Sequence, residues 1–144
     1  MNSISDNRMM HIRGVAEKCY ELAKDKYGLD EDESRKMYLM GFLHDIGYAF
    51  SDTPESHNSA GYEMLSGVSD EIRVAILRHG NPDHIRNWTI YDEILNSADM
   101  SVSPDGKEVT YQERLNEVEI RFSGRHNKKY SDVKRIISHL NDIG

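Results

Sequence analysis

The chain predicts an all-α fold, and three observations predict it. Apolar residues recur at helical spacing in stretch after stretch, and capping residues stand at the head of most stretches. Nowhere do several residues alternate with a clean period of two, as a half-buried strand would require.

The elements follow in order. Ile12, Val15, Ala16, Cys19, Leu22 and Ala23 form one face of a first helix that Tyr27-Gly28 ends. Asp30 with Glu33 makes a capping box for a second helix. That helix closes on Met37-Tyr38-Leu39-Met40-Gly41-Phe42-Leu43, which is apolar all round and is expected to lie inside the domain. Ser56 caps a short third helix through Leu65, stopped by Gly67. Ser69 caps a fourth, where Ile72, Ala75, Ile76 and His79 share a face before Gly80-Asn81-Pro82 breaks it. Thr89 and Asp92 open a fifth with the stripe Tyr91, Ile94, Leu95, Ala98 and Val102, and Pro104-Asp105-Gly106 is a turn. Thr110 and Glu113 cap a sixth carrying Tyr111, Leu115, Val118 and Phe122, and a last helix carries Val133, Ile136, Ile137 and Leu140.

A chain of 144 residues fits one domain and can enclose a core. With three prolines and no Ser/Gly-rich tract, no linker or disordered arm is expected. The net charge of −7 argues against a long nucleic acid as partner, since counterion release needs a dense basic face. The densest basic run, Arg125 to Lys129, reads as a solvated loop. Cys19 is the sole cysteine, so an internal disulfide and thiol-rich zinc chemistry are excluded. The first ten residues lack the apolar stretch of a signal peptide, and no run approaches the roughly 20 apolar residues of a membrane span. A soluble, cytoplasmic protein is expected.

The informative residues break the apolar pattern. His44 and Asp45 directly follow the all-apolar helix, and Asp99 sits on the stripe of Leu95, Ala98 and Val102. Burying such carboxylates costs several kcal/mol unless a cation or hydrogen bonds compensate, so each demands a partner. His11 borders the Val15–Cys19 face, and His79 ends the stripe of the fourth helix. Taken singly, each is readable as an ordinary hydrogen-bonded core residue. Together, carboxylates and imidazoles converging on one core are most simply explained by a shared metal. Imidazole and carboxylate donors suit Fe, Mn, Co, Ni or Zn rather than calcium or magnesium.

Gly41-Phe42-Leu43-His44-Asp45-Ile46-Gly47 resembles the motif that names the HD superfamily of metal-dependent phosphohydrolases. Met10-His11-Ile12-Arg13-Gly14-Val15-Ala16 is similar to the family's first-helix histidine segment, and Asn96-Ser97-Ala98-Asp99 to the segment supplying its last aspartate. The resemblance implies that His11, His44, Asp45 and Asp99 bind a first metal. It also implies an HD-domain bundle of about five core helices over residues 8–102, with a C-terminal helical extension of two helices over 103–144, in one domain covering 1–144.

Some branches of the superfamily hold a second metal through two further histidines. His57-Asn58-Ser59-Ala60-Gly61 resembles their His-x-x-x-Gly helix start, and Ala75-Ile76-Leu77-Arg78-His79 their next ligand, with His84 a third possibility. Many hydrolytic relatives place a lysine after the motif glycine, where this chain has Tyr48. A phosphate-contacting cation must then come from Arg13, Arg78, Arg86 or Arg125, of which Arg13 and Arg78 are taken as catalytic together with Asp45.

The resemblance implies hydrolysis of a phosphoester or phosphoanhydride in a small, nucleotide-like substrate, as in short bacterial dinucleoside polyphosphate hydrolases. One or two divalent transition metals would activate the water. Two alternatives stand beside it: a two-iron oxygenase on the same scaffold, and a non-catalytic metal-binding domain that senses a ligand or binds a partner.

Overall fold

The computed structural model describes residues 4–45 and 68–144. Each helix starts where a side-chain oxygen takes a backbone N–H that the helix leaves without a partner. Ser5 accepts from the Arg8 amide at 3.2 Å and opens α1, Asp6–Asp25. Asp30 accepts from the Glu33 amide at 2.8 Å and opens α2, Glu31–Leu43. Ser69 caps α3, Asp70–Arg78. Thr89 with Asp92 and Thr110 with Glu113 form full capping boxes on α4, Ile90–Met100, and α5, Tyr111–Arg121. Asn127 caps α6, Lys128–Ile143. Among the described residues there is no strand, and an isolated antiparallel bridge joins Val102 to Glu108. No described helix is long and apolar enough to cross a membrane.

Four details differ from the sequence reading. A 3-10 helix, Pro82–Asn87, follows the break after α3, with Asn81 as its cap and Pro82 at its start. The apolar end of α2 is not enclosed: Met37, Met40 and Gly41 are buried while Tyr38, Leu39 and Phe42 are exposed. Val102 lies beyond the end of α4, in the bridge, where it still enters the core. The basic run does not end in a loop, since Lys128 and Lys129 form the first turn of α6. The predicted helix from Ser56 to Leu65 lies outside the described residues, as do Tyr48 and His57.

Two apolar clusters organise the packing. Val15, Cys19, Ala23, Met37, Met40, Ile72, Ile76, Ile94, Leu95 and Val102 join α1 to α4. Met100, Leu115, Val118, Tyr130, Val133, Ile136 and Leu140 lock α5 and α6 against the end of α4. α1 and α2 touch at backbone distance, because a Cβ on Gly41 would stand 2.8 Å from the Ala16 Cα and 2.9 Å from the Cys19 Sγ. Gly41→Val is therefore expected to lower unfolding stability by about 1–3 kcal/mol through overpacking. An unchanged thermal midpoint would show that the two helices can part freely.

A second close approach matters for function. Gly106 takes φ +87, and a Cβ there would meet the Met10 carbonyl oxygen at 2.5 Å. Only glycine fits both demands. The loop after α4 thus presses on α1 one residue before His11, which brings the Ser103 carbonyl to that histidine's ring.

Candidate metal centre

Five polar side chains from four helix segments converge in the interior: His11 from α1, His44 and Asp45 from the end of α2, His79 from the end of α3, and Asp99 from α4. All five are buried. The His11 and His44 ring centres are 5.4 Å apart, and those of His44 and His79 are 5.1 Å apart.

Each imidazole is oriented through its own backbone surroundings. His44 caps α2 and its Nδ1 donates to the Gly41 carbonyl at 2.6 Å. His79 caps α3 and its Nδ1 donates to the Ile76 carbonyl at 2.5 Å. Both rings fold back onto the carbonyl three residues earlier, in the last turn of the helix, and the Ile76 carbonyl also accepts from the His79 amide at 3.4 Å. The His11 Nδ1 donates to the Ser103 carbonyl at 2.9 Å. A carbonyl can only accept, so each Nδ1 carries a hydrogen and each Nε2 points inward, with a lone pair to offer whenever the ring is neutral. A backbone carbonyl behind the ring is the usual arrangement for an imidazole that binds a metal.

The inward atoms meet carboxylate oxygens. His11 Nε2 lies 2.9 Å from Asp99 Oδ1 and 3.9 Å from Asp45 Oδ2. His44 Nε2 lies 3.3 Å from Asp45 Oδ2 and 3.6 Å from Asp99 Oδ1, with hydrogen-bond geometry to neither. His79 Nε2 lies 3.4 Å from Asp45 Oδ1. Lone pairs facing carboxylate oxygens at these distances repel unless a proton or a metal sits between them. Atoms bound about 2.1 Å from one ion stand about 3.0 Å apart at right angles and about 4.2 Å apart across it. The observed separations fall in or near that range, and the donor set fits a divalent transition metal.

The electrostatics agree. Burial opposes the charge on Asp99, but the His11 and His44 rings outweigh it and hold its pKa well below the usual carboxylate range. Burial likewise disfavours the His44 imidazolium, yet the Asp45 and Asp99 charges and the Gly41 carbonyl push its pKa up to about 9. In the absence of a metal, a proton on His44 does part of a cation's work. Burial, reinforced by the Asp99 charge, raises the pKa of Cys19 far above that of a free thiol and keeps it a neutral packing group.

A model of the HD domain matches residues 8–139. The chain belongs to the HD domain family. No curated protein and no solved structure matches it. The HD match runs past the motif-bearing segments through α5 and most of α6. HD domains bind divalent metals and are mostly metal-dependent hydrolases, and the five converging donors form clusters suited to that role.

The HD site differs from the sequence reading mainly in its cations. Arg13 is exposed on α1, about 200° around the helix axis from His11, and so faces away from the cluster. Arg78 is bound to Asp92 through Nε at 2.7 Å and Nη2 at 2.5 Å, and Nη2 also donates to the Asn87 carbonyl. Asp92 is the acid of the α4 capping box, so Arg78 ties α3 to the start of α4 instead of facing the cluster. Arg86 and His84 are exposed on the 3-10 helix, and Arg125 pairs with Glu119.

Three cations that the sequence reading passed over stand nearer. Arg8 Nη1 donates to Asp45 Oδ2 at 3.2 Å. Buried Arg114 donates through Nε to the Asp99 carbonyl at 3.2 Å, with Nη2 3.8 Å from Asp99 Oδ1. Lys129 approaches from α6, with its ammonium beside Gly80. Arg114 was within reach of the sequence, because a position between Tyr111, Leu115 and Val118 falls on the apolar face of α5. Asn96 is a further buried polar residue, and its Oδ1 accepts from the Gly80 amide at 2.9 Å, fixing the turn after His79.

Proposed function

We propose that this HD domain is a metal-dependent phosphohydrolase in which His11, His44, Asp45 and Asp99 hold the metal, with His79 completing the inner cluster. The observation that carries this reading is the shared orientation of three imidazoles. Every Nδ1 is held by a backbone carbonyl and every Nε2 is aimed at the two buried carboxylates. A bound divalent ion supplies Lewis acidity, which makes water nucleophilic near neutral pH and draws charge from phosphoryl oxygens.

The chain's own groups do the rest. Asp45 faces three histidines and Arg8, so it is placed to hold the ion and to orient a water by hydrogen bonding. Arg8 stands half-exposed at the edge of the cluster, where it can meet an incoming anion. The substrate is proposed to be small, phosphorylated and nucleotide-like. The overall negative charge makes local cations and the metal necessary for anion approach. A second metal, held by His57 with His79, is part of the same proposal.

The test is elemental analysis of protein purified without chelator, followed by a panel of phosphomonoesters, phosphodiesters and dinucleoside polyphosphates with Mn, Co, Ni and Fe(II). The expected result is about one or two equivalents of metal, with hydrolysis of at least one member at the same rate under air and argon when the metal is redox-inert. Fully loaded protein that hydrolyses no member, read as phosphate from monoesters and as the nucleotide or alcohol product from the others, would overturn the hydrolase reading. Strict dependence on dioxygen would do the same.

A further inference from the structure

Lys129 combines three features that no stabilising role accounts for. It stands in the first turn of α6 beside Lys128, with no acidic residue in that turn, so the helix dipole opposes its charge. Among the described residues, no ion pair or hydrogen bond reaches its ammonium. Arg8, Arg78 and Arg114 each hold a carboxylate, as does neighbouring Lys128, which pairs with Asp132 at 2.7 Å. The third feature is position. A Cβ built on Gly80, the residue after His79, would lie 4.0 Å from the Lys129 Nζ.

The surroundings favour an anion at that point. The residue as a whole is exposed, but burial is the largest influence on its ammonium and lowers its pKa. Asp99 and Asp45 act to raise it, and Arg114 and Arg121 to lower it further. When the two carboxylates are neutralised by a metal, the ammonium keeps its guanidinium neighbours and loses its counter-charge. A phosphoryl oxygen at the ion would restore the balance. α6 packs against the 3-10 helix that follows Gly80, and Arg135 further along α6 pairs with Asp83 at 3.2 Å.

We propose that Lys129 is an anion-binding residue of the metal centre, reaching from α6 to hold a phosphoryl oxygen beside His79 and Gly80. The assignment rests on the phosphohydrolase reading for its substrate but not for its geometry. It gives the C-terminal helix a direct part in substrate binding.

Orthophosphate is the probe, titrated calorimetrically into the metal-loaded full chain. Lys129→Gln is expected to weaken phosphate binding roughly ten- to a hundredfold, the loss expected for a charge-assisted hydrogen bond. Metal content should be unchanged, Lys129→Arg should recover much of the affinity, and Lys128→Gln should bind like wild type. Wild-type protein that binds no phosphate at millimolar concentration would overturn the assignment. So would an equal loss in Lys128→Gln, or a Lys129→Gln protein that binds phosphate normally or loses its metal. If phosphate binding depends on Lys129 but no ester is hydrolysed, the hydrolase reading fails and the anion site stands. If esters are hydrolysed and Lys129→Gln leaves both KM and phosphate affinity untouched, the reverse holds.

Discussion

Replacing Asp99 with alanine is expected to strip the centre of metal and activity together. Asp99 Oδ1 is the nearest carboxylate oxygen to His11 Nε2, at 2.9 Å, and lies 3.6 Å from His44 Nε2. Removing it takes away one of the two buried negative charges that favour a cation there and leaves two imidazoles facing a hole. Loss of an outer hydrogen-bonding partner typically costs a metal site 10–100-fold in affinity, so loss of a charged donor should exceed that range. Metal content should fall below about a tenth of wild type at micromolar metal, with hydrolysis falling in parallel. Folding should also suffer, because breaking a buried ion pair from one side costs about 3–5 kcal/mol. Asp99→Asn separates the two effects: it keeps the shape and packing while losing the charge, so metal should be lost with less damage to the thermal midpoint. Unchanged metal stoichiometry in folded Asp99→Ala would remove Asp99 from the ligand set.

Asp99 was legible in the sequence because it violates its surroundings. A carboxylate on a stripe of Leu95, Ala98 and Val102 poses a question that only a partner can answer, and the same holds for His44 and Asp45 after an apolar helix. His11 and His79 were legible for the same reason. The helices themselves were written in apolar spacing and in caps, and the capping boxes at Thr89 and Thr110 form in full. What stayed hidden depends on pairing across the fold. Arg78 has the right charge next to a histidine, but Asp92, fourteen residues later, binds the Nε–Nη2 edge of its guanidinium with both carboxylate oxygens. Lys129 looked like one more charge in a basic run, and its place beside Gly80 exists only once α6 has packed on the 3-10 helix. The exposed Tyr38, Leu39 and Phe42 show a related limit. An apolar surface says that burial would be favourable, not which neighbour supplies it.

The pH dependence of stability should reverse sign when the metal is bound. In the metal-free protein the folded pKa of His44 is about 9, above the 6.5 of a free imidazole. A raised pKa contributes stability that is fully present below pH 6.5 and lost as pH rises through about 9. The loss is on the order of 3 kcal/mol. It is the same interaction that depresses the pKa of Asp99, so the two are not added. On the acid side, the depressed Asp99 contributes stability above its ordinary value near 3.8, which disappears as pH falls through its folded pKa. Metal-free protein should therefore be most stable from about pH 4 to 6.5, between these two limits. A metal inverts the alkaline limb, because His44 Nε2 must lose its proton before it can bind, so each rise in pH favours the ion. Thermal melts of chelator-stripped and Mn-loaded protein should diverge between pH 6.5 and 9, the first falling and the second holding or rising. Calorimetric titration of the metal at pH 7.5 in two buffers of different ionisation enthalpy should show net proton release. His44→Gln removes the titrating group and should flatten the metal-free curve across this interval. Parallel curves with and without metal, or a His44→Gln protein that keeps the alkaline loss, would show that His44 does not carry the counter-charge at the centre.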